Sequence, residues 1–434
     1  MKNEISRRDF FQGTAMLGVG AVLSSALANQ SAAKPVRLAF IGVGARGSGL
    51  LKVALSLEGV EVPAVCDINE AALKRALDSV QKTRGQRPAG FSDGPTDYRR
   101  MLQRDDFDAV LVATPMQLHA GMCVDALGAG KHVLSEVAAA MKLDDCWALV
   151  RAAEETDRIY MMAENCCYYR QNLAVRKMVR EGVFGTPTYA ECGYIHEARA
   201  RLFKPDGTLT WRGEMWRDFA GNVYPTHPLG PVCQWFGINR GDRLESLTAF
   251  TTTPSSLREF AVNKFGADSA AANIPFQAGD STVALIRTAK GAVVNLRFDC
   301  TSPRPVASTT YFTLQGTRAS YEDRDQNRRI CFDGRNPRSG WEPFDAHIGP
   351  YEHPLWQKDA DKARETGHNG ADYFTISEFG ETVRHARPSP IDVYDAAAWS
   401  CVIALTDASI RAGGAPQAVP DFTRGAWEKR TADI

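Results

Sequence analysis

The stretch Val36-Arg-Leu-Ala-Phe-Ile-Gly-Val-Gly-Ala-Arg-Gly47 decides the fold. Leu38 to Ile41 is a short apolar run that stops at Gly42. The pattern Gly42-x-Gly44-x-x-Gly47 follows, and then a segment of helical character, Ser48 to Leu57. The order is strand, tight turn, helix. Gly42 suits the turn, Gly44 lets backbone approach a pyrophosphate, and Gly47 lets helix and strand pack closely. The free N–H groups and positive dipole end of such a helix favour phosphate. A second apolar run, Val60 to Cys66, ends in Asp67, about 20 residues past the last glycine. A carboxylate there is placed for the ribose hydroxyls of an adenine dinucleotide. It would repel a 2′-phosphate, so NAD is expected over NADP. The competing reading is an ordinary βα turn in which Asp67 caps the next helix.

The 434 residues are enough for more than one domain. Apolar residues make up 44% and charged residues 24%, the balance of a globular chain. Lys plus Arg equals Asp plus Glu at 51 each, which gives no support to nucleic acid or an anionic membrane as a partner. After residue 30 no stretch reaches the roughly 18 apolar residues of a membrane helix. The ten cysteines show no Cys-x-x-Cys and no paired Cys/His spacing. Neither a zinc site nor a disulfide scaffold is therefore expected, and no metal is assigned.

Residues 1–30 read as a targeting segment. Ser6-Arg7-Arg8-Asp9-Phe10-Phe11 precedes an apolar stretch, Ala15 to Leu27, and Ala26-Leu27-Ala28 fits a small-residue cleavage site. The paired arginines resemble a twin-arginine signal, so export to the periplasm in folded form is expected. A Sec-type signal or a plain tail are the alternatives. No cysteine sits at the cleavage site, so no lipid or membrane anchor is expected.

Residues 35–166 alternate apolar runs with helical patterns, the signature of a Rossmann-type doubly wound parallel sheet. The run Ala109 to Ala113 ends at Thr114-Pro115, and the next strand ends at Glu136. Ligands bind outside the carboxyl ends of such strands, so Thr114 to His119 should line the cofactor. A further strand, Ile159 to Ala163, ends in Glu164-Asn165. Residues 167–412 read as an α+β domain with a mostly antiparallel, open sheet. Its strands are expected near Thr188 to Ile195, Leu244 to Thr252, Ser281 to Thr288, Ala292 to Phe298 and Thr309 to Gln315. Long connections fall around 196–243 and 325–372. A last helix, Val393 to Arg411, is expected to pack back on the first domain, and residues 413–434 form a tail. An exposed sheet face needs cover, which suggests a homo-oligomer.

Four polar clusters look too specific for packing: Pro115 to His119, Glu136-Val137, Trp211-Arg212, and Tyr224-Pro-Thr-His227-Pro. His227 lies between two prolines, in what reads as a rigid loop, and imidazole suits acid/base work near neutrality. A structural histidine is the alternative. Tyr224 is close enough in sequence to share its pocket. Tyr194 ends an expected strand and reads equally well as a core tyrosine. Trp211-Arg212 is either a sugar platform or a surface cation–π pair. His368 either helps line the site or caps a helix.

At these residues the chain resembles the glucose–fructose oxidoreductase/inositol dehydrogenase superfamily. Within it, the chain is most similar to glycoside hydrolase family 109, the NAD-dependent α-N-acetylgalactosaminidase-type enzymes. The supporting stretches are Gly42 to Gly47, Ser135-Glu136-Val137, Asn165 to Arg170, Tyr224 to Pro231, Ile238 to Asp242 and Ser302 to Pro305. Superfamily dehydrogenases carry Glu-Lys-Pro where this chain has Glu136-Val137-Ala138, so their catalytic lysine is absent. They also carry an aspartate at the position of Val223, which would orient the histidine. Both absences are shared with family 109. The resemblance implies a redox-neutral glycosidase acting on a glycoside or oligosaccharide. In such an enzyme NAD oxidises the sugar 3-hydroxyl, the acidified C2 proton is removed, the C1 group leaves, water adds and the hydride returns. By motif, Gly42, Gly44, Arg46, Gly47, Asp67, Thr114, Met116 to His119, Glu136, Val137 and Asn165 should contact NAD. Tyr194, Arg212 and Tyr224 to His227 should contact sugar. His227 is the expected acid/base, with Tyr194 or Tyr224 as a second proton carrier. Val306 stands where family 109 has a substrate-site tyrosine, which puts the preference for N-acetylgalactosamine in question. A periplasmic sugar oxidoreductase with tightly bound NAD(P) and a non-catalytic sugar-binding module are the alternatives.

Overall fold

The computed structural model describes residues 34–305, 310–334 and 340–431. The signal-like segment and Val306 lie outside them. The opening stretch forms β1 (Val36–Ile41), and the helix Ala45–Ser56 starts three residues earlier than the apolar pattern suggests. The start is early because the glycine turn is tight and leads straight into helix. Around β1 the sheet adds β2 (Val60–Glu61), β3 (Ala64–Cys66), β4 (Ala89–Phe91), β5 (Ala109–Val112), β6 (His132–Ser135) and β7 (Tyr160–Met162). Their order is β4-β3-β1-β5-β6-β7, with β2 also on β1, and the ladders are parallel. All four β5 residues are buried, as expected of a strand covered by helices on both faces.

Among the described residues the second sheet has nine strands. They are β8 (Pro187–Ile195), β9 (Leu244–Thr251), β10 (Thr282–Thr288), β11 (Val293–Asp299), β12 (Thr310–Gly316), β13 (Ala319–Arg324), β14 (Asn327–Phe332), β15 (Glu342–Pro343) and β16 (Gln417–Ala418). The order is β15-β14-β13-β12-β8-β11-β10-β9-β16, and only β8 and β11 run parallel. Burial alternates strictly along β10, so one face is open. Phe250, Val283 and Leu285 stand exposed on β9 and β10.

The expected connections hold more structure than their composition suggests. The β13–β14 hairpin turns at Asp325 and Gln326, both at positive φ without a glycine. Residues 196–243 include the helices Trp211–Asp218 and Thr226–Phe236. His227 is therefore not in a loop. It lies in the first turn of a helix, where Pro228 is tolerated because first-turn N–H groups need no helical partner. The last helix is two, Val393–Ser400 and Val402–Arg411. The first of these packs on the helix Leu143–Thr156 and on β7, and the second packs on β9. Ser400 Oγ accepts from the Ala139 N–H at 3.1 Å, so this segment also braces the turn after β6.

Candidate active site

One cavity of about 880 Å³ runs from the glycine turn to the residues carried by the second sheet. At the first end, Gly42 has φ +89°, and a Cβ there would stand 2.8 Å from the Ala113 carbonyl. A Cβ on Gly47 would stand 2.1 Å from the Gly42 carbonyl oxygen, so Gly47 is a packing glycine and not part of the wall. Over Gly44, its chain neighbours apart, no atom of the described residues comes within 4 Å of a built Cβ. That open cradle lies at the N-terminus of the helix Ala45–Ser56, which has no side-chain cap. These features fit a dinucleotide pyrophosphate. Asp67 lines the cavity and ties the turn together: its Oδ2 accepts from the Val43 N–H at 2.7 Å and its Oδ1 from the Asn69 N–H at 2.8 Å. Asn69, not Asp67, caps the next helix.

Thr114 and His119 line the cavity. The His119 ring is buried between the carbonyls of Thr114 (2.8 Å) and Ala138 (2.9 Å), and burial holds its basicity below the ordinary value. It pins the β6 turn to the β5 turn. Met116, expected on the cofactor wall, instead points into an apolar cluster with Trp216 and Val223. The 3₁₀ turn Met116–Leu118 rotates it inward and leaves Leu118 on the wall.

Arg46, Glu136 and Asn165, each expected at the cofactor, are linked by a residue the sequence did not single out. Arg46 Nε donates to Glu136 Oε1 at 2.7 Å. Its Nη1 and Nη2 donate to Asp372 at 2.7 and 2.9 Å. Asn165 Nδ2 donates to the same carboxylate at 2.9 Å, and His368 Nδ1 lies 2.8 Å from it. Burial opposes charge on Asp372, but His368 and Arg46 outweigh it and hold the carboxyl well below its usual range. Arg46 is likewise raised, because Glu136 and Asp372 outweigh its burial. Val137 and His368 complete this wall.

At the other end, Tyr194, Trp211, Arg212, Tyr224 and His227 share the cavity surface. Arg212 stacks on Trp211, its Cζ 4.1 Å from the ring centroid. The Tyr194–Tyr224, Tyr194–His227 and Tyr224–His227 ring centroids are 5.2, 5.5 and 5.0 Å apart. Burial pushes both phenols up, so both are neutral hydroxyls near neutral pH.

The loss of aspartate at position 223 does not leave His227 without an orienting partner. Val223 is buried in apolar surroundings, and the partner is Glu164. Glu164 Oε1 lies 2.7 Å from His227 Nδ1. Gly230, one turn on from His227, lets the two meet: a Cβ there would press on the Glu164 side chain at 3.0 Å and on Trp399 at 2.9 Å. Burial opposes charge on both groups, yet their attraction dominates. Glu164 is held below its usual range and His227 well above its own, so the resting pair is carboxylate and imidazolium. Glu164 ends its strand as Asp67 and Glu136 end theirs, and that position was the available signal. His196, Arg201 and Trp216 also line the cavity and were not singled out in the sequence.

A dinucleotide cradle shares one cavity with a histidine–carboxylate pair, two tyrosines and a tryptophan–arginine platform, which is the layout of a dinucleotide-dependent enzyme with a separate substrate end. Comparison with known proteins specifies it. Residues 168–429 match the family model described as glycosyl hydrolase 109, C-terminal domain. Residues 36–164 match the oxidoreductase family, NAD-binding Rossmann fold. A glycosyl hydrolase family 109 protein of Solibacter usitatus is 37% identical, with 99% of each chain covered. An α-N-acetylgalactosaminidase of Tannerella forsythia is 34% identical, with 98% of each covered. Among solved structures, levoglucosan dehydrogenase in complex with NADH and L-sorbose superposes with a TM-score of 0.70 over 89% of this chain and all of that one. At 19% identity that likeness shows the fold alone. The chain belongs to glycosyl hydrolase family 109. It is a glycoside hydrolase built on an NAD-binding fold. Among the described residues no helix is long and apolar enough to cross a membrane.

Proposed function

We propose that the protein is a redox-neutral glycosidase of α-N-acetylgalactosaminidase type that cleaves its glycoside by transient oxidation at C3, elimination across C1–C2, addition of water and re-reduction. The observation that carries this reading is the His227–Glu164 pair at the sugar end of a cavity whose other end is a dinucleotide cradle. Bound NAD supplies the reversible oxidation of the sugar hydroxyl. Gly44, the helix N-terminus behind it and Asp67 would hold its phosphate and ribose groups. Arg46, Glu136 and Asn165 line the cavity where the cofactor would meet the substrate.

The chain's own work is to place the sugar and to move protons. Trp211 and Arg212 offer an apolar face beside a fixed guanidinium, which suits a sugar ring and its hydroxyls. With Nδ1 held by Glu164, His227 exchanges its second proton at Nε2. Every proton taken during the oxidation and elimination is given back during hydration and reduction, so one acid/base pair that cycles is sufficient. Tyr194 and Tyr224, as neutral phenols, are the second carriers within reach of the same ring. The absence of lysine at Val137 favours this cycle over a net dehydrogenation.

The histidine–carboxylate pair itself would also serve a sugar oxidoreductase with retained NAD(P), which is the second reading. A panel of aryl α- and β-glycosides separates the two. Hydrolysis by purified protein without added cofactor, and without net NADH, is the expected result. A ketone product formed in step with NADH would contradict it.

Export through a twin-arginine signal belongs to the same proposal, motivated by Arg7-Arg8 and the apolar stretch after them. Retention of the protein in the cytoplasm after Arg7-Arg8→Lys-Lys tests it, and unchanged export would count against it. A second copy over Phe250, Val283 and Leu285 is proposed to cover the open sheet face. Light scattering of Leu285→Glu against the unaltered protein tests that, and a monomeric unaltered protein would remove it.

A further inference from the structure

We propose that Glu164, Cys166 and His227 form a binding site for one thiophilic divalent cation of the zinc class, and that the bound ion silences the acid/base pair. The ligand-capable atoms of these three side chains all lie within 4.8 Å of one another. Glu164 and Cys166 are buried, whereas His227 is half-buried and opens on the cavity, which gives an ion a way in. A second observation points to a missing ligand. Among the described residues Glu164 Oε2 is fully buried and makes no hydrogen bond of good geometry, although the Thr226 hydroxyl stands beside the carboxylate; Oε1 accepts from the Cys166 N–H at 3.1 Å and lies 2.7 Å from His227 Nδ1. An ionised carboxylate oxygen buried without a well-aligned donor is costly, and a cation relieves it.

The donor set selects the ion. Thiolate, imidazole and carboxylate are the ligands that zinc takes at about 2.3, 2.0 and 2.0–2.2 Å, and three protein ligands leave a fourth position for water. Around one ion at those lengths, ligand atoms stand roughly 3.3–3.8 Å apart, so a side-chain rotation of roughly 1 Å closes the cluster. Calcium and magnesium ask for oxygen ligands throughout and are excluded by the sulfur.

Charge balance permits the exchange in a buried place. Without metal, the site holds a carboxylate, an imidazolium and a thiol, for no net charge. With metal, it holds a carboxylate, a thiolate, a neutral imidazole and a dication, again for no net charge. Two protons leave, one from Cys166 Sγ and one from the His227 ring. The ion occupies the nitrogen side on which Glu164 orients the ring, and the imidazole can no longer cycle a proton. Cysteine spacing hides this site from the sequence, because its ligands come from the turn after β7 and from a helix 63 positions away.

The test uses the full-length holoprotein, stripped of metal with a chelator and titrated with Co²⁺. One equivalent should produce a near-ultraviolet thiolate-to-cobalt band that Zn²⁺ then displaces. Cys166→Ala should lose the band, and its affinity should fall by at least the about 10–100-fold that loss of even an outer-shell partner costs. The variant should still retain NAD, and Zn²⁺ should inhibit only the unaltered protein, each protein being compared with its own metal-free rate. Absence of the band in the unaltered protein overturns the proposal. So does an equal band in Cys166→Ala, which would place the thiolate at one of the other cysteines. If Cys166→Ala fails to fold, Cys166→Ser gives the same comparison. The spectrum decides the site whether or not the glycosidase reading holds.

Discussion

Glu164 Oε1 and His227 Nδ1 lie 2.7 Å apart across 63 residues of sequence, and the contact joins the turn after β7 to the first turn of the helix Thr226–Phe236. If the pair is the proton carrier, Glu164→Gln should leave the fold and NAD retention intact and lower kcat by about 10²-fold or more, within the range of general acid–base catalysis. His227→Ala should fall at least as far. The check is steady-state kinetics beside the absorbance of bound cofactor. A Glu164→Gln enzyme with unchanged kcat would remove the pair from the mechanism.

The same contact sets a pH dependence. Burial alone would lower the His227 value, but the Glu164 charge raises it well above the ordinary imidazole range. Proton removal by His227 needs the neutral ring. The rising limb of kcat/KM against pH should therefore lie above the about 6.5 of free imidazole and move to lower pH in Glu164→Gln. The profile should be recorded with a chelator present. A limb that stays in place in the variant would assign it to another group.

Gly44 and Gly47 should separate binding from folding. Its chain neighbours apart, a methyl on Gly44 meets no atom of the described residues within 4 Å, and its φ of −63° suits any residue. Gly44→Ala should change stability by no more than about 0.5 kcal/mol. It should still weaken NAD retention, because the methyl enters the cradle. Gly47→Ala meets the Gly42 carbonyl oxygen at 2.1 Å and should cost about 1–3 kcal/mol or more. Thermal unfolding and bound-NAD absorbance on both variants check this. Equal NAD retention in Gly44→Ala and the unaltered protein would count against the cradle.

Asp372 gathers Arg46, Asn165 and His368 from three places in the chain. Its folded carboxyl sits below the unfolded value of about 3.9, so its contribution is fully present above that pH and is lost as pH falls further. Asp372→Asn should destabilise the protein by about 2 kcal/mol, less than the about 3–5 of a fully buried pair because Glu136 still holds Arg46. NAD should also leave faster. Denaturant midpoints and gel filtration followed by absorbance measure the two effects.

What the sequence showed and what it hid follow from the range of the interactions. The strand–turn–helix at Val36 to Gly47 was legible because its causes are local: an apolar run, a residue that must take positive φ, and a residue that must lack a side chain. The first five strands of the second sheet were legible from alternation and turns. The β13–β14 hairpin was not, since Asp325 and Gln326 take positive φ without the glycine that usually announces such a turn. Prolines 225 and 228 made the His227 segment read as a loop, although both stand at or near the helix start, where no N–H is required. Met116 was placed on the wall because it follows a strand end, and the 3₁₀ turn rotated it into the core. Glu164 and Asp372 were missed as partners because both bonds join distant segments. Composition carries no trace of such pairing.

The most direct test of the redox-neutral cycle is hydrolysis in deuterated water, with the released sugar examined at C2 by NMR. Purified holoprotein, with no cofactor added, should turn over an aryl glycoside and place one solvent deuterium at C2 of each product molecule. Turnover that leaves the original C2 proton in place would contradict elimination across C1–C2. It would also take the proton-carrying role away from His227 and Glu164.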